Sequence, residues 1–129
     1  MYRILTIIAI VLLPGCSRDT QVVDRALFNS HARCAAFYVL LGNSTSSPEK
    51  KQHYASSLEN HVKVGLKLIP DQNVFQSQFK IETQLLTKEW EAQADDQSAA
   101  NYILSQTGKC AYAFVAYTKY IGAAPRPMD

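Results

Sequence analysis

Four stretches of the chain repeat their apolar residues at intervals of three and four, and glycine, proline and short polar runs separate them. They cover residues 19–41, 48–69, 72–94 and 97–121, each long enough for about six helical turns. In the first, Val23, Leu27, Ser30, Cys34, Phe37 and Leu41 fall on one line, and in the fourth Ala99, Ile103, Gln106, Cys110, Phe114, Tyr117 and Ile121 do the same. The second lines up Tyr54, Leu58, Val62, Gly65 and Ile69, with Lys50, Lys63 and Lys67 turned elsewhere. The third sets Phe75, Phe79, Leu86 and Trp90 against a wet face of Gln76, Lys80, Gln84, Lys88 and Glu91. That period belongs to amphipathic helices. The links suit helix ends: residues 42–47 are rich in glycine, asparagine and serine, Pro48 stands behind Ser47 as a cap, and Pro70-Asp71 and Asp95-Asp96 are turn and cap residues. Short links between matched helices predict an all-α antiparallel four-helix bundle, with the first and last helices as neighbours. Gly108, inside the fourth stretch, either admits a close neighbour or marks a break.

The chain has 129 residues, room for one domain, and with 47% apolar residues it is no disordered tail. Nothing in its charge recruits nucleic acid, and no such partner is expected. There are 13 basic and 11 acidic residues, and loss of Arg3 with the leader described next leaves 12 against 11, a net +1.

Residues 1–15 read as an export signal. Arg3 supplies the positive start, Ile4 to Leu13 form an apolar run broken only by Thr6, and small Gly15 precedes Cys16. As a helix that run is about 15 Å long, half the roughly 30 Å of bilayer hydrocarbon, so it is an h-region and not an anchor. Its end, Leu13-Pro14-Gly15-Cys16, resembles the lipobox of bacterial lipoproteins, with Pro14 in place of the pattern's small residue. The resemblance implies cleavage before Cys16, a thioether-linked diacylglycerol on that cysteine, and a mature periplasmic helical domain over residues 16–129. Several acyl chains anchor stably, each buried methylene contributing about 0.8 kcal/mol. Ser17, being other than aspartate, implies transfer to the outer membrane, with the domain on the periplasmic face.

With Cys16 carrying lipid, Cys34 and Cys110 are left in an oxidising compartment, and one disulfide between them is expected; the alternative is two buried free thiols. Both lie within apolar stripes, as a bond between packed helices requires. Cys34 is about eight residues from the shared end of the bundle and Cys110 about fourteen, a height mismatch near 9 Å that tilt or sliding must absorb.

No serine or cysteine stands in an activating frame, so no catalytic residue and no enzyme is expected. His31 and Cys34 share a helical face and with Cys110 would offer three metal ligands, but no paired ligand motif accompanies them, and neither a metal nor any other cofactor is expected. His61 borders the stripe of its helix, and His53 looks solvated. Glu89 with Glu91 and Asp95 with Asp96 read as surface charge and a helix start.

The outer sides of the first and last helices are less polar than a solvated face should be. Phe28, Ala32, Ala35, Ala36 and Val39 lie away from the Cys34 stripe, and Ala111, Tyr112, Val115 and Ala116 away from the Cys110 stripe. Either these residues complete the core, or they form an exposed apolar patch of the composition found at protein-binding surfaces; Phe28, Ala32, Val39, Tyr112 and Val115 would be its contact residues. In size and compartment only, the chain resembles immunity proteins, exclusion lipoproteins and lysozyme inhibitors. The expectation is a lipid-anchored, non-enzymatic binding protein acting on a protein partner of the cell envelope. The alternative is a structural or assembly lipoprotein of a secretion or conjugation complex.

Overall fold

The computed structural model describes residues 15–123, with side chains from 20 to 122. The signal expected at residues 1–15, apart from the backbone of Gly15, and the lipidation expected on the Cys16 side chain lie outside what is described. Four helices account for nearly all of it: α1 (Gly15–Ser44), α2 (Pro48–Leu68), α3 (Gln72–Glu91) and α4 (Asp96–Ala123). Among the described residues there is no strand.

The starts of α2, α3 and α4 are each set by a side chain that takes up backbone amides left over in the first turn. Ser47 Oγ accepts from the Lys50 amide ahead of Pro48, Asp71 Oδ1 accepts from the Asn73 and Val74 amides, and Asp95 Oδ1 accepts from the Ser98 amide at 2.7 Å. At the other end of α1, Ser44 Oγ donates to the Leu41 carbonyl at 2.8 Å, and the helix runs through Gly42.

The helices alternate in direction. His31 meets His61 and Tyr38 meets Tyr54, so α2 runs against α1. Phe28 meets Phe75 and Arg33 meets Glu82, so α3 runs with α1. His31 meets Phe114 and Cys34 is bonded to Cys110, so α4 runs against it. The fold is thus an all-α antiparallel four-helix bundle with one disulfide between its first and last helices. The Cys34 and Cys110 Cα atoms are 5.5 Å apart. Because α1 continues to Ser44, ten of its residues follow Cys34 while fourteen of α4 precede Cys110. The difference is four residues, about 6 Å, and a lengthwise offset of α4 absorbs it.

One helix is central. α2, α3 and α4 all pack on α1 and touch one another much less. Phe28, Ala32, Ala35 and Ala36 of α1 are each 0% exposed, and Cys34, Phe37 and Leu41 on another side of it are also buried. Two clusters result: Phe28, Ala32 and Ala35 with Leu68, Phe75 and Tyr117, and Phe37 and Leu41 with Leu86 and the disulfide. This corrects half of the expected patch. Phe28 and Ala32 belong to the core, because they face Leu68 of α2, Phe75 of α3 and Tyr117 of α4, while the exposed side of α1 carries residues such as Val22, Arg25 and Ser30.

Candidate functional site

The centre of the bundle is not wholly apolar. His31 on α1 and His61 on α2 are 0% and 1% exposed, and their Nδ1 atoms are 2.8 Å apart. One ring must donate that hydrogen bond and the other accept it. His61 is stacked between Phe114, with ring centroids 4.2 Å apart, and Tyr38, at 5.7 Å. His31 meets Phe114 and the edge of Tyr117. Burial keeps both imidazoles neutral. His31 is pushed down to about 4 by burial, with the Ala113 backbone opposing, and His61 down to about 3 by burial and then by the proximity of His31. His31 Nε2 is buried and makes no well-formed hydrogen bond among the described residues.

The disulfide adjoins this pair. A ring nitrogen of His61 and the sulfurs of Cys34 and Cys110 all lie within 4.8 Å of one another. The histidine beside the sulfurs is therefore His61, where the sequence pointed to His31. The stripe assigned to α2 does face the core, with Gly65 buried and Tyr54, Leu58, Val62 and Ile69 half-buried against the two clusters, but His61, expected at its border, is fully buried, and so is Leu68. His53 is exposed.

A second polar group joins three helices. Arg33 of α1 donates through Nε to Gln106 Oε1 of α4 at 3.2 Å, through Nη1 to Glu82 Oε2 of α3 at 3.3 Å, and through Nη2 to Glu89 Oε2. Tyr102 also donates to Glu89 Oε2, at 2.8 Å, and Gln78 donates to Glu82 Oε1 at 2.9 Å. Burial pushes Glu89 up, but hydrogen bonds from Arg33 and Tyr102 outweigh it and hold the carboxyl below its ordinary range. Tyr102 is pushed up to about 12, by burial first and then by Glu89. Glu89 is thus a member of a clasp and not merely surface charge. Its signal in sequence is weak, because Arg33 lies 56 positions away.

The α4 half of the expected patch stays open. Tyr112 is 63% and Val115 47% exposed, Ala111 is exposed, and Ala116 is half-buried; Val39, on α1, is half-buried too. Leu104, 70% exposed, extends the same side of the helix, as does Gly108. Helix α4 passes through Gly108 without a break, and a Cβ built there would meet nothing within 4 Å. The glycine therefore serves no close approach within the described residues. Beside this stripe, Ala26, Ser30, Cys34, Gln106, Lys109 and Tyr112 line a cleft of about 500 Å³ between α1 and α4. No helix of the described residues is long and apolar enough to cross a membrane.

No protein-family model, curated protein or solved structure matches this chain.

Proposed function

We propose that the chain is a lipid-anchored, non-enzymatic binding protein of the bacterial envelope, an inhibitor, immunity or exclusion lipoprotein that engages a protein partner through the outer side of α4. The anchor rests on the lipobox-like ending at Cys16 and on Ser17, which directs the reading to the periplasmic face of the outer membrane. One observation carries the docking side. Leu104, Val115 and Tyr112 stand exposed at 70%, 47% and 63% along a single side of a helix that the Cys34–Cys110 bond fixes to the bundle. Exposed side chains on a rigid support lose little backbone freedom on binding, and a tyrosine amid small apolar residues suits a contact centre. Tethering to a membrane adds local concentration, so a modest surface suffices.

The test is chemical crosslinking and affinity capture of the membrane-bound protein, with wild type and Val115→Asp side by side. Val115→Asp should lose the captured partner while keeping its helical circular dichroism. Capture of the same partner by the variant would remove α4 as the docking side. Release as a folded monomer that rebinds a single partner fits an inhibitor, whereas permanent residence in a large complex supports the assembly-lipoprotein alternative. Intact mass of the mature protein, with Cys16→Ser as control, tests the lipid independently.

A further inference from the structure

We infer that when the Cys34–Cys110 bond is opened, the two thiolates and His61 form a buried site for one thiophilic d10 cation, Zn2+ or Cu+. The three ligand groups come from three helices and already converge within 4.8 Å. With metal–sulfur bonds of about 2.3 Å and metal–nitrogen bonds of about 2.0 Å, ligand atoms around one ion sit roughly 3.5–4 Å apart. The sulfurs need only move apart between Cα atoms that are 5.5 Å from each other. Two thiolates and an imidazole, without a carboxylate, form a donor set that selects soft and borderline cations.

The histidine pair fits this use. His61 Nδ1 is taken up by His31 Nδ1 at 2.8 Å, which leaves His61 Nε2 as the nitrogen free to bind an ion. A metal-binding histidine is commonly oriented in this way, its second nitrogen held by a neighbouring polar group. Tyr38 and Phe114 sandwich the His61 ring and fix its plane. Two imidazoles in a bundle core cost stability that leucines of similar volume would not, so their presence calls for a role beyond packing.

The chemistry balances with a small dithiol as donor. Its two thiols deliver two electrons and two protons, the Cys34–Cys110 bond breaks into two thiols, and the donor closes its own disulfide. Ion binding then displaces both thiol protons to solvent. The cleft between α1 and α4 reaches Cys34 and gives the donor a route. The site differs from the α4 docking side and does not depend on it.

The experiment uses the full mature chain, oxidised or reduced with a phosphine, and measures uptake of Zn2+ and of Cu+ separately against chromophoric chelators; Co2+ replaces Zn2+ for spectroscopy. The reduced protein should bind one ion at least a hundredfold more tightly than the oxidised one, and Co2+ should show a thiolate charge-transfer band. His61→Gln should weaken binding roughly 10- to 100-fold, as should His31→Gln, while His53→Gln on the surface leaves it unchanged. Should reduction unfold the chain, the ion must restore its helical circular dichroism. Equal uptake by oxidised and reduced protein, wild-type affinity in His61→Gln, or an unfolded reduced chain that the ion fails to refold would each overturn the site.

Discussion

His31 and His61 approach Nδ1 to Nδ1 at 2.8 Å in a core where neither ring is more than 1% exposed. In the unfolded chain each would take up a proton near its ordinary value of 6.5, whereas the folded chain holds His31 at about 4 and His61 at about 3. The unfolded state therefore binds more protons between those limits, and stability rises with pH there. The oxidised protein should be fully stable above about pH 7 and should lose on the order of 4 kcal/mol by pH 5, since each of the two rings costs about 1.4 kcal/mol for every pH unit below its ordinary value. Glu89 responds at lower pH, its folded value lying below the ordinary carboxylate range, so it does not account for that window. Urea unfolding at pH 7.5, 6 and 5 measures the loss, and His61→Gln should halve it. A midpoint that stays level across this range would show that the rings protonate inside the fold.

Two glycines inside helices should answer alanine with opposite signs. A Cβ on Gly65 would stand 2.6 Å from Cε2 of Phe75, whose ring is 6% exposed and held edge-on against Phe28. Overpacking of about 1–3 kcal/mol there exceeds the gain in helix propensity of about 1 kcal/mol, so Gly65→Ala destabilises by about 1 kcal/mol. At Gly108 nothing lies within 4 Å, and Gly108→Ala should stabilise the isolated protein by about 1 kcal/mol. Equal shifts of one sign in denaturant melts would contradict this contrast.

What was legible in the sequence is what local chemistry decides. Ser47 with Pro48, Asp71 and Asp95 announce the starts of α2, α3 and α4, and the 3–4 spacing announces their number. The central position of α1 is not local. Phe28 and Ala32 read equally well as a bare face or a buried one, because a single sequence does not say how many helices will lean on it. His61 read only as a border residue of α2 for a related reason: the rings of Tyr38 and Phe114 that take it fully into the core stand on other helices, far from it in sequence. The Arg33 clasp stayed hidden because Gln106, Glu82 and Glu89 are all far from it in sequence. The disulfide could be foreseen from cysteine count and stripe membership.

The clasp yields its own test. Arg33→Met would leave the carboxylate of Glu82, 8% exposed, with only Gln78 as a partner. A buried charge stripped of its counter-ion costs about 3 kcal/mol, and Glu82→Gln in the same variant should recover part of that. Glu89→Gln probes the other arm. It removes an interaction that raises Tyr102, so the phenol should titrate lower than about 12. Ring chemical shifts of Tyr102 followed through alkaline pH report it, and an unmoved titration would mean that burial alone sets the value.

Opening the Cys34–Cys110 link should act chiefly on the unfolded chain. The cysteines are 76 positions apart, and closing a loop of that size stabilises a fold by about 4 kcal/mol in the chain-entropy treatment. The double variant Cys34→Ala, Cys110→Ala should lose about that much and, because α1 packs on α2 and α3 independently of the bond, should keep those three helices together. Helix α4 is held otherwise by Gln106, Tyr102, Phe114 and the buried Tyr117, and it packs on α1 less extensively than α2 and α3 do. Hydrogen exchange in the variant should therefore accelerate first along α4. Uniform acceleration across all four helices would instead make the bundle one cooperative unit that the disulfide tightens as a whole.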